Sequence, residues 1–385
     1  MSDKNADAPV QMQEIPLGPS GQFRLGLATL NRPKSLNALG RDMIGTLLEQ
    51  LPRWADDPSI AAVWLDGAGD RAFCAGGDVV QVYLAMTSEN EDAEAAALDY
   101  FSHEYRLDHL IHTYPKPLMV WADGIVMGGG LGLMAGGFQR LVTETTRIAM
   151  PEITIGLYPD IGASWFLNRM PPGVGAYLGL TGAQLNARDA LDLGLADRFI
   201  PRERRESLLD ALEQADYGDR SVSALRAAVQ QALDAQEDRT LAPQGQVMPR
   251  LDHLPALVGH VDPATAVARI LADDSEDKWL AANRARLETG CPMTAHLVWR
   301  MLDRHAHTSL ADAFRDELVL SVQCCRQGDF VEGVRALLID KDKAPQWRHA
   351  DVASVPEDAI QALFVSPWSD ETHPLRDLGL GRRVG

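Results

Sequence analysis

Two glycine-rich turns carry the clearest chemical possibility in this chain: Cys74-Ala75-Gly76-Gly77-Asp78 and Met127-Gly128-Gly129-Gly130-Leu131-Gly132. Each follows a short apolar run and precedes a helix-like segment. Glycine lets the backbone bend sharply and lets a ligand approach its N–H groups closely. Facing turns of this kind aim two amides, here those of Gly77 and Gly129, at one oxygen and form an oxyanion hole. Ala75, Gly76 and Gly128 lie in the same turns and are candidates to line a bound substrate. Taken singly, each turn also reads as an ordinary strand-to-helix connection.

Two carboxylates complete this chemistry. Glu152, in Met150-Pro151-Glu152, follows a strand end, where catalytic side chains of α/β proteins often sit. Asp160, in Leu157-Tyr158-Pro159-Asp160, follows it in the chain. One carboxylate can attack a carbonyl or activate water while the other orients a leaving group or a substrate hydroxyl. The plain alternatives are a solvated turn carboxylate for Glu152 and a helix N-cap before Ile161-Gly162-Ala163 for Asp160. Arg32, Lys34 and Lys116 are candidate phosphate contacts.

Other constellations are weaker. His103-Glu104-Tyr105-Arg106-Leu107 begins like a zinc-peptidase helix, but Leu107 stands where the second histidine must be, so no metal is expected. His109 and His112 have no further ligand at a metal-binding spacing. Cys74 reads better as a small buried thiol than as a nucleophile. No GxSxG elbow is present. Gly130-Leu131-Gly132-Leu133-Met134-Ala135 fits a dinucleotide GxGxxA, but only Glu144, poorly placed, could meet the ribose.

Strands and helices alternate as these residues require. Strands are expected at Phe23–Leu30, Ala61–Asp66, Leu118–Ala122, Gln139–Thr143 and Arg147–Met150. Helices are expected at Leu39–Trp54, toward the end of an acidic stretch from Glu89 to Tyr114, and at Ala187–Leu193, which Gly194 ends. The pattern argues α/β. The first residues read as a frayed terminus. We expect a core over residues 15–215, an irregular connecting segment over 216–262, a helical C-terminal region over 263–345 and a surface tail over 346–385.

The chain has 385 residues, 46% hydrophobic and 23% charged, with a formal net charge of −18. Such acidity argues against nucleic acid, which needs a basic footprint. An anionic ligand therefore requires a local cation cluster. No apolar run is long enough to span a bilayer, and no membrane partner is expected. Four cysteines without a CxxC pair, together with a polar, acidic start, point to a reducing, cytoplasmic compartment.

Taken together, Asn31-Arg32-Pro33-Lys34 with Asn37-Ala38-Leu39, Phe73–Asp78, Gly124–Gly130 and Met150-Pro151-Glu152 resemble the crotonase (enoyl-CoA hydratase/isomerase) superfamily in order and spacing. The resemblance implies a spiral of ββα turns with a helical C-terminal region, and a coenzyme A thioester substrate. It implies an oxyanion hole from the Gly77 and Gly129 amides, and the 3′-phosphate-ADP beside the loop of Arg32 and Lys34. Hydratases of the superfamily carry a glutamate where this chain has Gly132, which leaves space beside the acyl group. The pattern is instead similar to the 3-hydroxyisobutyryl-CoA hydrolase family, with GGGxG, MPE, the downstream Pro159-Asp160 and the run Asp329–Asp342. That resemblance implies hydrolysis of a short β-hydroxyacyl-CoA in valine breakdown, by Glu152 with help from Asp160. Coenzyme A enters only as part of the substrate, and no metal or redox cofactor is implied. Relatives often form trimers or hexamers, so a homo-oligomer is possible. An enoyl-CoA hydratase/isomerase and a non-catalytic acyl-CoA binding protein are the alternatives.

Overall fold

The computed structural model describes residues 7–18, 21–88, 92–218, 221–327 and 329–380. The first six residues of the expected frayed terminus, and Glu89, Asn90 and Glu91 of the acidic stretch, lie outside them. The strands are β1 (Val10–Leu17), β2 (Phe23–Leu30), β3 (Ile60–Gly67), β4 (Ala72–Cys74), β5 (Leu118–Ala122), β6 (Ile125–Met127), β7 (Gln139–Val142), β8 (Arg147–Ala149), β9 (Leu185–Asn186) and β10 (Arg198–Phe199). They form a six-stranded sheet in the order β1-β2-β3-β5-β7-β10 and a four-stranded sheet in the order β4-β6-β8-β9.

Residue contacts divide the chain into two compact units. The first comprises residues 1–77, 110–148 and 185–246 and holds essentially all the strands. From β2 to β10 the large sheet is parallel; β3 is buried from Ile60 to Asp66 and β5 throughout, as continuous apolar runs such as Ala61-Ala62-Val63-Trp64-Leu65 require. Trp64 and Trp121 stack at 5.7 Å within one core layer with Leu25, Met119 and Leu141.

The second unit comprises residues 78–109, 149–184 and 247–385 and is helical. Its long helices are Ala93–His112, Pro292–Arg304 and Leu310–Gln327. Phe314, Leu318 and Val322 on the last of these are fully buried, four residues apart along one helix face.

Three local expectations are corrected. The start of the chain is not frayed from Val10 onward: β1 pairs antiparallel with the whole of β2. Its mixed polarity is that of an edge strand, and Pro16 is tolerated there. Within residues 216–262, Ser221 caps a helix over Val222–Asp234 that buries Leu225, Val229 and Leu233. Among the last forty residues, the helix Glu357–Leu363 buries Ile360 and Leu363, and Leu375 and Leu378 are buried beyond it.

Candidate functional site

In the first unit the two glycine turns lie side by side because their strands pair. β4 and β6 run parallel, with Ala72 opposite Ile125 and Cys74 opposite Val126. The turns then approach more closely than side chains allow. A Cβ on Gly130 would stand 2.2 Å from the Cys74 carbonyl oxygen, and Gly76 has φ +109° with its Cβ position 3.3 Å from the Met127 oxygen. Gly128 precedes a short helix, Gly129–Ala135, and its carbonyl accepts from the amides of Leu131 and Gly132. Among the described residues, neither the Gly77 nor the Gly129 amide donates a hydrogen bond, so both stay available to a ligand. Cys74 is fully buried, as a structural thiol should be.

The loop carrying Arg32 and Lys34 is strapped to the first of these turns. The Ala75 amide donates to the Leu36 carbonyl at 3.0 Å, and the Leu39 amide to the Gly76 carbonyl at 2.8 Å. Buried Asn37 fixes the loop: its Nδ2 donates to the carbonyls of Ala68 and Ala72, both at 2.9 Å, and its Oδ1 accepts the Arg32 amide at 2.9 Å. Leu36 and Asn37 hold left-handed φ values of 55° and 56° to make that bend. Lys34 is exposed on the turn Pro33–Ser35, and Arg32 pairs with Asp42. Lys116 is not part of this cluster. Its ammonium donates to the carbonyls of Trp54 (2.6 Å) and Asp57 (2.5 Å), satisfying the end of the helix Arg41–Asp56. The expectation that it meets phosphate is therefore withdrawn. Arg202 and Arg205, in a cleft of the same unit, are already paired with Asp123 and Asp66.

The second unit gathers carboxyl groups. Glu152 opens a 3-10 turn, Glu152–Ile155, directly after β8, and Asp160 ends the following loop. Both are buried, so the solvated-turn reading of Glu152 fails. Asp160 accepts the Ala163 amide only through its main-chain carbonyl, not as a side-chain cap. Three further acids join them: Glu104 and Asp108, one turn apart on the helix Ala93–His112, and Glu317 on the helix Leu310–Gln327. None of the five is more than 5% exposed.

Burial sets their protonation. It raises Glu152 well above the usual carboxylate range, and Asp160 and Glu104 add to the rise. Glu104 is raised by burial and by Asp160; Asp108 by burial and then by Glu104, Asp160 and Glu317. Asp160 is pushed up to about 6 by burial, and a hydrogen bond donated by the Tyr105 hydroxyl to its ionised form would lower it. Glu317 is pushed up to about 8, opposed by donors from Ser164 and Gly162. Carboxyls so close do not all ionise, and the pattern is that of a site where acid and base roles are divided.

The partners differ in kind. Glu317 is well held: it accepts from the Gly162 amide at 2.7 Å and from the Ser164 hydroxyl at 2.5 Å. Behind Ser164, the buried His305 ring lies 2.7 Å from its hydroxyl and 3.0 Å from Asp316. Among the described residues, Glu152 Oε2, Glu104 Oε1 and both Asp108 oxygens have no hydrogen-bond partner. Unpartnered buried carboxyls are costly and mark a site kept for a ligand or for proton transfer.

Glu104, Asp108 and Glu317 were not expected as site residues. The segment His103–Leu107 fails as a zinc motif, and what it contributes instead is Glu104 and Tyr105. The available signal was their place on the apolar stripe Ala97, Phe101, Tyr105 and Ile111, where acids do not belong without a reason.

Comparison with known proteins identifies the family. A family model described as enoyl-CoA hydratase/isomerase matches residues 25–364. The mitochondrial 3-hydroxyisobutyryl-CoA hydrolase of Xenopus laevis is 36% identical over 344 residues, 89% of this chain and 86% of that protein. The one from Danio rerio is 37% identical over 348 residues, 89% and 87%. The 3-hydroxyisobutyryl-CoA hydrolase 1 of Arabidopsis thaliana is 35% identical over 343 residues, 88% of each. Among solved structures, an enoyl-CoA hydratase from Rhodobacter sphaeroides 2.4.1 is similar with a TM-score of 0.80 at 32% identity, covering 93% of this chain and 98% of that one. A carnitinyl-CoA dehydratase from Mycobacterium thermoresistibile gives 0.81 at 33%, covering 93% and 97%. The α/β fold with a helical C-terminal region is the one these structures share. The chain belongs to the crotonase (enoyl-CoA hydratase/isomerase) superfamily and is, within it, 3-hydroxyisobutyryl-CoA hydrolase-like.

Proposed function

We propose that this protein hydrolyses a short β-hydroxyacyl-CoA thioester, 3-hydroxyisobutyryl-CoA, to the free hydroxy acid and coenzyme A. The relatives' names support the substrate. The observation that carries the chemistry is Glu152: a buried carboxyl with one oxygen that has no partner among the described residues.

In this reading the thioester oxygen takes hydrogen bonds from the Gly77 and Gly129 amides as negative charge develops on it. Glu152 attacks the carbonyl carbon and displaces the thiolate, giving an anhydride that water then opens; activation of water by Glu152 reaches the same products. Asp160 binds the substrate hydroxyl or passes the proton. Arg32 and Lys34 meet the coenzyme's phosphate. Gly132 offers no carboxylate beside the acyl group. Water is the only co-reactant, so no metal or redox cofactor enters. The four cysteines are buried and, among the described residues, form no disulfide, which supports a reducing, cytoplasmic compartment as part of the reading.

A thiol-release assay over a panel of acyl-CoA esters, with and without a β-hydroxyl, tests it. Release fastest with the hydroxylated short chains is expected. A second reading draws on Glu104, which lies within electrostatic reach of Glu152 and supplies the second carboxylate that Gly132 lacks. Two glutamates can add water to an enoyl-CoA. That activity would change the absorbance of crotonyl-CoA without freeing thiol.

A further inference from the structure

Asp160 ends a chain of hydroxyl groups whose protons can be counted. The Tyr105 hydroxyl lies 2.5 Å from Asp160 Oδ2 and 2.6 Å from the Ser321 hydroxyl. Ser321 lies 3.0 Å from the Tyr158 hydroxyl, and Tyr158 donates to the Glu317 main-chain carbonyl at 2.7 Å. All four side chains are buried. There are four contacts, and the three hydroxyls bring three protons. The carbonyl at the far end can only accept. If Asp160 is ionised it too only accepts, and one contact is left without a proton: two oxygens face each other across hydrogen-bond distance in a site closed to water. If Asp160 carries a proton, every contact is filled. Asp160 donates to Tyr105, Tyr105 to Ser321, Ser321 to Tyr158 and Tyr158 to the Glu317 carbonyl. Buried polar contacts left unmade are expensive, so the chain favours the protonated acid.

We propose that the hydroxyl chain Tyr105–Ser321–Tyr158 holds a proton on Asp160 and so removes a like charge from beside Glu152. Ser321 belongs to the helix Leu310–Gln327, well beyond the glycine turns and Glu152 in the chain. It touches no substrate atom in this scheme and acts as a positioning residue through Tyr105. The inference deepens the hydrolase reading and rests on it for the roles of Asp160 and Glu152.

The surroundings of Asp160 agree in sign. From the helix Ala93–His112 it is faced by Glu104 and Asp108 as well as Tyr105. Glu152 and Tyr158 lie on its own side of the chain, and Glu317, Cys324 and Cys325 face it from the helix Leu310–Gln327. Every one of these groups is an acid, and no cation stands among them to hold Asp160 ionised. Neutral Asp160 removes one of the like charges that raise Glu152, whose largest cause is burial, and so makes that carboxyl easier to ionise. Two neighbouring carboxyls are thereby assigned different tasks.

The test uses the full chain with Ser321→Ala and Ser321→Thr. Without the Ser321 hydroxyl, two contacts remain and two hydroxyl protons fill them with Asp160 ionised, so the bias is gone. In Ser321→Ala the alkaline limb of the pH profile of kcat/KM for thiol release should move down by about one pH unit, the equivalent of one hydrogen bond. Ser321→Thr, which keeps the hydroxyl, should retain the wild-type limb. A rate that falls equally at every pH, or identical profiles for the two variants, overturns the proposal. A second measurement does not depend on turnover: the infrared carbonyl stretch of protonated carboxylic acids, with Asp160→Asn marking the Asp160 band. The proposal expects that band in the wild type near pH 5, with a lower titration midpoint in Ser321→Ala. No Asp160 band, or an unmoved midpoint, contradicts it. A shifted midpoint in a protein that releases no thiol would uphold the chain and refute the hydrolase reading.

Discussion

The hydroxyl of Tyr105 sits 2.5 Å from Asp160 Oδ2, with both side chains sealed from solvent. The contact joins the helix Ala93–His112 to the loop that follows Glu152. It gives Asp160 a fixed orientation that a carboxyl on a loop would otherwise lack. Tyr105→Phe removes the hydroxyl and leaves the ring packing against Phe101 and Phe314 in place. We expect kcat for a β-hydroxyacyl-CoA to fall roughly tenfold or more, the scale of a hydrogen bond to an ionisable group, with the thermal midpoint lowered because buried Asp160 and Ser321 lose a partner. Steady-state kinetics beside a melting curve check this. An unchanged kcat would separate Tyr105 from the work of Asp160.

Stability should fall as pH rises. Asp160 and Glu317 are pushed up to about 6 and about 8 from ordinary values of 3.8 and 4.5. A carboxyl raised in the folded state contributes stability that is complete below its unfolded pKa and is lost as pH climbs through the folded one. The window runs from about 4 to about 8. Asp108 adds to it, being raised by burial and having neither oxygen partnered among the described residues. Asp108→Asn should therefore raise the melting midpoint at pH 8 by about 1 °C, corresponding to roughly 1 kcal/mol, and change it less at pH 5. Calorimetry at the two pH values decides; an equal loss at both would show that the Asp108 carboxyl is needed for packing.

Asn37 should matter to coenzyme binding without touching it. Its amide ties the Arg32–Lys34 loop to Ala68 and Ala72. Asn37→Ala leaves those buried groups unpaired, at a cost of about 1–3 kcal/mol in stability. KM should rise several-fold for a full CoA ester and little for a truncated pantetheine thioester, which has no phosphate to place. Equal rises for both esters would detach the loop from phosphate recognition.

Much of the local structure is legible in the chain. β2 and β5 fall on the residues expected, because Phe23–Leu30 and Leu118–Ala122 are apolar runs bounded by polar or turn residues. The paired glycine turns are legible because glycine at Gly76 and Gly130 answers a steric demand that no other residue meets. Glu152 and Asp160 are legible as residue types at strand and loop ends. Glu104, Asp108, Ser321 and Glu317 are not. They reach the acid cluster through helix packing between segments remote in sequence, and a carboxylate on a buried helix face contradicts the pattern by which such faces are recognised. Lys116 shows the converse: its charge suggests phosphate, yet its reach is used up by helix-end carbonyls that only the fold brings near.

Thiol release from 3-hydroxyisobutyryl-CoA by the wild type and by Glu152→Gln is the most direct measurement. The amide keeps the size of the side chain and removes its charge. The wild type should cleave the ester, and the variant should lose a hundredfold or more in kcat, the usual scale for a positioned base or nucleophile. Cleavage by Glu152→Gln at the wild-type rate would contradict the role assigned to this carboxyl, and with it the chemistry proposed for the protein.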